Sequence, residues 1–194
     1  MSKSPPKPPP PRGAQWSPGS VFTIGHSRHS IAEFIDLLQA YDIQCLVDIR
    51  SVPRSRHNPQ FNADALAESL ARVGIDYQPL TTLGGLRHPR RDSGNTGWHN
   101  AGFRGYADYM QTPAFAQALE VLLQLRNQAR SAIMCAEAVP WRCHRSLVAD
   151  ALLVRGVDVI HILSASSYRR HSLTSFAKVD GLHLSYPPPP EPPA

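Results

Sequence analysis

The stretch SAIMCAEAVPWRCHRSLVADALLVRGVDVIHIL, residues 131–163, decides the fold, because an apolar run, a polar knot and a helix-then-strand pattern follow without a break. Ala132, Ile133 and Met134 form a short buried-strand signal. Leu147, Val148, Ala151, Leu152 and Val154 recur at helical spacing, Gly156 ends that helix, and Val157 to Leu163 reads as the next strand. Between strand and helix lie Cys135, Glu137, Pro140, Trp141, Arg142, Cys143, His144 and Arg145. An open parallel sheet holds its ligands at such a place, outside the carboxyl ends of its strands.

Upstream the alternation repeats. Val21 to Ile24 is the first strand signal, followed by the turn Gly25-His26-Ser27. Ser30 sits at the N-cap position of a helix that turns Ile31, Phe34, Ile35, Leu37 and Leu38 inward, with Glu33 in capping-box spacing. Leu46 to Ile49 is the second strand, and period-two alternation puts Asp48 and Arg50 on one side of it. Asn62 opens a helix stopped by Gly74, and Ile75 to Leu80 supplies a third, shorter strand. Thr81 to Arg104 has no period of either kind, and its Arg, His, Trp98 and Phe103 mark it as a functional loop that closes over the strand ends. Tyr106 to Arg126 is helical, with Thr112 and Pro113 breaking it and capping its second half. After residue 164, Phe176 to Val179 and Leu182 to Tyr186 form a hairpin around Asp180-Gly181.

The expected fold is therefore a three-layer, Rossmann-like α/β domain over residues 21–164 with a five-stranded, mainly parallel sheet. A C-terminal extension with a small hairpin follows over residues 165–186. Residues 1–20 and 187–194 are proline-rich and read as disordered tails.

The formal charge of +5 invites a nucleic-acid reading, but the tails carry most of it: +3 on residues 1–20 and +1 on residues 165–194 leave +1 for the domain. Every positive residue between Val21 and Ser164 is an arginine. That side chain grips phosphate or carboxylate with two bonds at once, although a G+C-rich coding sequence gives the same bias. Cys45, Cys135 and Cys143 form no CxxC pair, no signal peptide precedes Val21, and no apolar run reaches a bilayer's thickness. A reducing cytoplasm is the expected setting, with no membrane partner.

The segments TIGHS (23–27), DIRSVPRS (48–55), NPQFN (58–62), NTGWHNAGFRGYADYM (95–110) and CAEAVPWRCHRS (135–146) resemble the domain of unknown function 488 family. The resemblance implies a cytoplasmic α/β domain and no established reaction. The matched polar residues are His26, Asp48, Arg50, Arg54, Cys135, Glu137, Cys143, His144 and Arg145, with Pro53 among them. The chemistry has to come from the residues.

A Cys-dependent phosphatase needs C-x5-R, and the step from Cys135 to Arg142 is one residue too long, with Glu137 pointing a carboxylate into the cradle. A persulfide loop would want small residues where this one has Glu and Pro. Cys135, Cys143, His144 and His26 supply soft donors, but Cys143 and His144 read as neighbours on a helix start, splayed about 100° apart, so no metal and no cofactor is expected. The favoured constellation joins carboxylates to arginines. Glu137 and Asp48, with Cys143 and His144 beside them, are the candidate catalytic residues. His26, Arg50, Arg54, Trp98, Arg104, Cys135, Trp141, Arg142 and Arg145 are the candidate ligand-binding residues. This set suits an enzyme that acts on a nucleotide, nucleic acid or other anionic, phosphorylated small molecule by carboxylate acid/base chemistry, glycosidic hydrolysis included. The alternatives are a non-catalytic nucleotide- or nucleic-acid-binding module, a Cys-dependent enzyme using Cys135 or Cys143, and a set of salt bridges that only ties loops down.

Overall fold

The computed structural model describes residues 16–188. Five parallel strands form the sheet: β1 (Val21–Gly25), β2 (Cys45–Asp48), β3 (Asp76–Pro79), β4 (Ser131–Cys135) and β5 (Val159–Ser164). A sixth strand, β6 (Ser167–Arg170), adds antiparallel to β5, giving the order β3-β2-β4-β1-β5-β6. The expected Rossmann-like α/β architecture is present, with this edge strand added. Its sequence, Ser-Tyr-Arg-Arg, has no apolar alternation to announce it, because an edge strand with exposed residues need not bury one face.

Strand alternation sorts the core into two layers. Phe22, Ile24, Leu46, Ala132, Met134 and Ile160 face α1 (Ile31–Ala40) and α2 (Ala63–Ala71), where Phe34, Leu38, Leu66 and Leu70 close the layer. Val21, Val47, Ile49, Ile133 and Val159 face the other side, which α3 (Ala101–Met110), α4 (Pro113–Gln128) and α5 (Arg145–Leu153) cover. Helix α1 has the expected cap: the Ser30 hydroxyl accepts the Glu33 amide while the Glu33 carboxylate accepts the Ser30 amide at 2.8 Å. Thr112 accepts the amide of Phe115 and opens α4 as expected. The preceding helix, α3, begins at Ala101, inside the stretch expected to be loop, because Asn100 accepts the amides of Gly102 and Phe103.

The C-terminal hairpin pairs β7 (Lys178–Asp180) with β8 (His183–Ser185). Asp180 pairs with His183, so Gly181 and Leu182 make the turn, one residue later than expected. Gly181 takes a φ of 58°, which suits glycine at the first central position. At the other end Trp16 packs edge-on against Phe22 at 5.3 Å and Tyr168 at 4.7 Å, so residues 16–20, read as tail, belong to the fold. Residues 1–15 and 189–194 of the expected tails lie outside the described residues.

A buried polar chain, with no signature in local pattern, ties α5 to the C-terminal extension. The Asp150 carboxylate accepts His171 Nε2 and the Tyr186 hydroxyl, both at 2.8 Å, and the Thr174 amide at 3.0 Å. His171 Nδ1 then accepts His161 Nε2 at 3.0 Å, and His161 Nδ1 accepts the Thr23 hydroxyl at 2.8 Å. Burial, followed by repulsion from His171, Arg145 and Arg169, pushes the pKa of His161 down to about 3. The unfolded chain binds a proton there below its ordinary 6.5 while the folded one resists to about 3, so this contribution to stability is complete above pH 6.5 and is lost as pH falls through that window. We expect about 2 kcal/mol of loss from this group between pH 7.5 and pH 5. Urea midpoints at the two pH values check it, and His161→Gln reduces the difference by about that amount, leaving the share of the similarly depressed His26.

Candidate functional site

The connections after β2 and β4 leave in opposite directions. The chain from β2 runs over the α1/α2 face to β3, and the chain from β4 runs over the α5 face to β5, crossing β1. Since β2 and β4 are neighbours, a crevice opens between their carboxyl ends. Both sequence motifs that looked richest in chemistry end there.

On the β2 side the Asp48–Arg50 pair is fixed tightly. Asp48 is 0 % exposed and Arg50 7 %. Arg50 donates Nε to Asp48 Oδ1 at 2.9 Å, Nη2 to Oδ2 at 2.5 Å, and Nη2 again to the Phe61 carbonyl at 2.7 Å. The Arg50 amide and the Tyr77 hydroxyl, at 3.1 and 2.8 Å, complete the carboxylate's shell. Burial and then the Asp48 charge raise the Tyr77 pKa, so its phenol stays a donor. His26 stacks on Phe61 at 4.3 Å and bonds its own loop through Nδ1 to the Ser27 carbonyl at 3.0 Å. That fixes the proton on Nδ1 and leaves Nε2 to accept from Arg50 Nη1 at 3.4 Å. Burial and the Arg50 charge hold His26 neutral, with its pKa pushed down to about 4.

On the β4 side, alternation turns Cys135 toward α5, where it meets Cys143. Pro140 does not open the long helix, as expected from sequence. It opens a 3-10 turn, Pro140–Arg142, after which Cys143 is extended (φ −137°, ψ 148°) and α5 begins at Arg145. Side chains of Cys143 and His144 therefore do not splay at helical spacing but converge, Sγ to Nδ1, at 3.5 Å. The Arg145 amide donates to the same sulfur at 3.5 Å, and His144 Nε2 donates to the Ile49 carbonyl at 3.1 Å. Burial pushes the Cys143 thiol up, but the bonds from Cys135 and His144 and the charges of His144 and Arg145 outweigh it and hold the group well below the ordinary thiol range. Its proton-donating partner Cys135 is held well above that range by the bond to Cys143 and by burial. The two sulfurs and a His144 ring nitrogen lie within 4.8 Å of one another, close enough for three donors to share one metal ion.

Arg145 is buried, 1 % exposed, and does not face the ligand side. Its Nη2 binds the carbonyls of Glu137 and Ala138 and so shapes the loop after β4. Two glycines make the packing possible. A Cβ on Gly25 would stand 1.9 Å from the Glu137 carbonyl, and one on Gly85 would stand 2.4 Å from His144 Nδ1.

Two adjoining clefts result. One, of about 450 Å³, is lined by Arg50, Ser51, Leu86, Asn100, Phe103, Cys135, Glu137, Arg142, Cys143 and His144 among others. The second, of about 600 Å³, adds His26, Arg28, Arg54 and Asn58 and shares Arg50 and Glu137. Glu137 is exposed, is the sole acid lining either cleft, and forms no ion pair among the described residues; its Oε1 accepts the Ala138 amide at 3.0 Å.

Of the residues singled out in the sequence, His26, Arg50, Arg54, Cys135, Glu137, Arg142, Cys143 and His144 thus come together. Asp48 lies beneath Arg50 and lines neither cleft. Trp98 stacks on Phe103 at 4.7 Å and packs against Phe176 and Tyr186, serving the core rather than a ligand. Trp141 sits in a separate small pocket with Arg169 over its ring, and Arg104 lines neither cleft. The loop over residues 81–104 is tied down: Asp108 accepts the Arg90 amide, the Ser93 hydroxyl and Asn95 Nδ2 at 2.6–2.8 Å. Asn100 and the Gly85-Leu86 turn, not foreseen as site residues, form its share of the wall, and only their contacts across the fold reveal them.

The family model described as "Domain of unknown function DUF488" matches residues 30–152, and the chain belongs to that family. No match was found among curated proteins or among solved structures. Among the described residues no helix is long and apolar enough to cross a membrane.

The site's thiols are separable by reactivity. In chelator-treated protein, iodoacetamide is expected to label Cys143 about tenfold or more faster than Cys45, whose thiol burial pushes up within β2. Peptide mapping over a time course reads the order, and equal rates would show Cys143 to be packed rather than poised.

Proposed function

We propose that this member of the DUF488 family is an enzyme acting on a phosphate-bearing ligand, a nucleotide or a segment of nucleic acid, with Glu137 as its acid–base carboxylate. One observation carries the reading. Glu137 stands unpaired where two clefts meet, while Arg142, Arg54 and Arg28 line those clefts with no ion pair among the described residues and Arg50 reaches them already bound to Asp48 beneath. A carboxylate that served only the fold would be expected to pair with a nearby arginine; Arg145 instead takes main-chain carbonyls and leaves the Glu137 charge to the cleft.

The roles follow from placement. Arg142 and Arg54, exposed at opposite sides of Glu137, anchor anionic oxygens, and Arg50 supplies a fixed guanidinium edge between them. Phe103 offers a ring to a base at the far wall. Glu137 takes a proton from water as the water attacks the anchored ligand, and returns it to the leaving group. With one acid at the clefts, the chemistry is a single-carboxylate hydrolysis rather than a two-carboxylate glycosidase mechanism. Asp48 positions Arg50 and does not touch substrate. Thiols held free, with two of them in contact, suit a reducing cytoplasm.

A screen of the purified protein against nucleotides and oligonucleotides, scored by thermal shift and by product, tests this. Glu137→Gln should leave the unfolding midpoint within about 0.5 kcal/mol, retain binding, and lose turnover by about a hundredfold or more. Asp48→Asn should behave oppositely and cost about 3 kcal/mol, because it strips a buried guanidinium of its counter-charge. If Glu137→Gln unfolds several degrees lower and turns over normally, the carboxylate is structural. A steep salt dependence of binding without product would assign the clefts to a nucleic-acid-binding module instead.

A further inference from the structure

Cys135, Cys143 and His144 line the first of the two clefts with their donor atoms within 4.8 Å of one another. A tetrahedral zinc with Zn–S of about 2.3 Å and Zn–N of about 2.0–2.1 Å requires a sulfur-to-nitrogen edge of about 3.5 Å. Cys143 Sγ and His144 Nδ1 are 3.5 Å apart, and the third donor, Cys135 Sγ, is within 4.8 Å of both. The surroundings are those of a ligand set rather than of packed thiols. His144 donates its remote Nε2–H to the Ile49 carbonyl, which orients the ring and turns Nδ1 toward the Cys143 sulfur. The Arg145 amide donates to the Cys143 sulfur at 3.5 Å, an outer hydrogen bond that fixes the position of this donor. Gly85 leaves room for the imidazole where any side chain would collide with Nδ1. All three donor residues line the cleft that Glu137 borders.

We propose that Cys135, Cys143 and His144 bind one zinc ion, with its fourth position open to the cleft. Two thiolates and an imidazole are soft donors that select zinc over magnesium or calcium, and three protein ligands with one open position are the pattern of a reactive rather than a structural zinc. Glu137 follows Cys135 by two residues and is not itself a donor of the cluster, the placement zinc hydrolytic sites use for their general acid–base group. If the proposed function holds, the open position carries the water whose proton Glu137 takes; the metal site itself does not depend on that reading.

The test is metal content. Full-length protein incubated with excess zinc and desalted should retain one equivalent, and Cys45→Ser should retain the same. Cys135→Ser and Cys143→Ser, near in size to the parent and checked for an unchanged unfolding midpoint, should fall to none. Cobalt loaded in place of zinc should show thiolate-to-metal charge-transfer absorption that weakens in either variant. Iodoacetamide labelling of Cys143 should stop when zinc is added and resume with chelator. The proposal fails if desalted protein holds no zinc and Cys143 alkylates at one rate with and without it, or if the double Cys→Ser variant keeps its metal. These readouts need no substrate: zinc retained without any nucleotide effect sinks the proposed function alone, while hydrolysis lost in Glu137→Gln without zinc sinks the metal alone.

Discussion

A guanidinium buried away from solvent shapes everything at the crevice. Arg145 opens α5 with its side chain 1 % exposed, and among the described residues no carboxylate lies within ion-pair distance of it. Burying such a charge costs several kcal/mol unless its protons and its field are answered. The carbonyls of Glu137 and Ala138 answer two of its protons, while Nε has no partner. The field is answered by sulfur. Cys143, whose thiol the Arg145 charge helps to hold below its ordinary range, is the group set against it. The loop after β4 is therefore drawn back onto α5, Cys135 is brought against Cys143, and Glu137 is left at the rim with its carboxylate outward.

The two acids singled out in the sequence show how far strand parity reaches. Both end a strand motif next to an arginine, and both looked equally suited to chemistry. Asp48 and Arg50 share a side of β2, which alternation made legible, and the consequence is a closed pair satisfied by Tyr77 and the backbone. Glu137 lies beyond the last residue of β4, where alternation no longer governs direction. Its outward direction comes from Arg145 acting across the loop and from the close approach of Gly25, neither of which is encoded locally.

What was legible rests on short-range physics. The capping box at Ser30, the break at Thr112 and the alternating strands are decided within a few residues, and they appear where the pattern put them. What was not legible depends on partners far along the chain. Trp98 resembled a base-stacking residue on an open loop, but the Gly97 amide bonds the Tyr186 carbonyl and Asn95 accepts the Tyr186 amide, which folds the indole into the core. The turn at Pro140 looked like a helix start because proline favours that position. The single extended residue that follows, Cys143, carries no signal in its sequence, and it turns an apparent splay into a cluster.

The C-terminal extension has a part in the site despite being distant from it. Helix α5 presents His144 and Arg145 at its start and buries Asp150 one and a half turns later, where His171, Thr174 and Tyr186 converge on one carboxylate. A helix fixed at both ends cannot slide or rotate without breaking either that cluster or the His144 bond to Ile49. The ring and sulfur at the crevice thus inherit their precision from residues that follow the last parallel strand, and the extension completes the domain rather than decorating it.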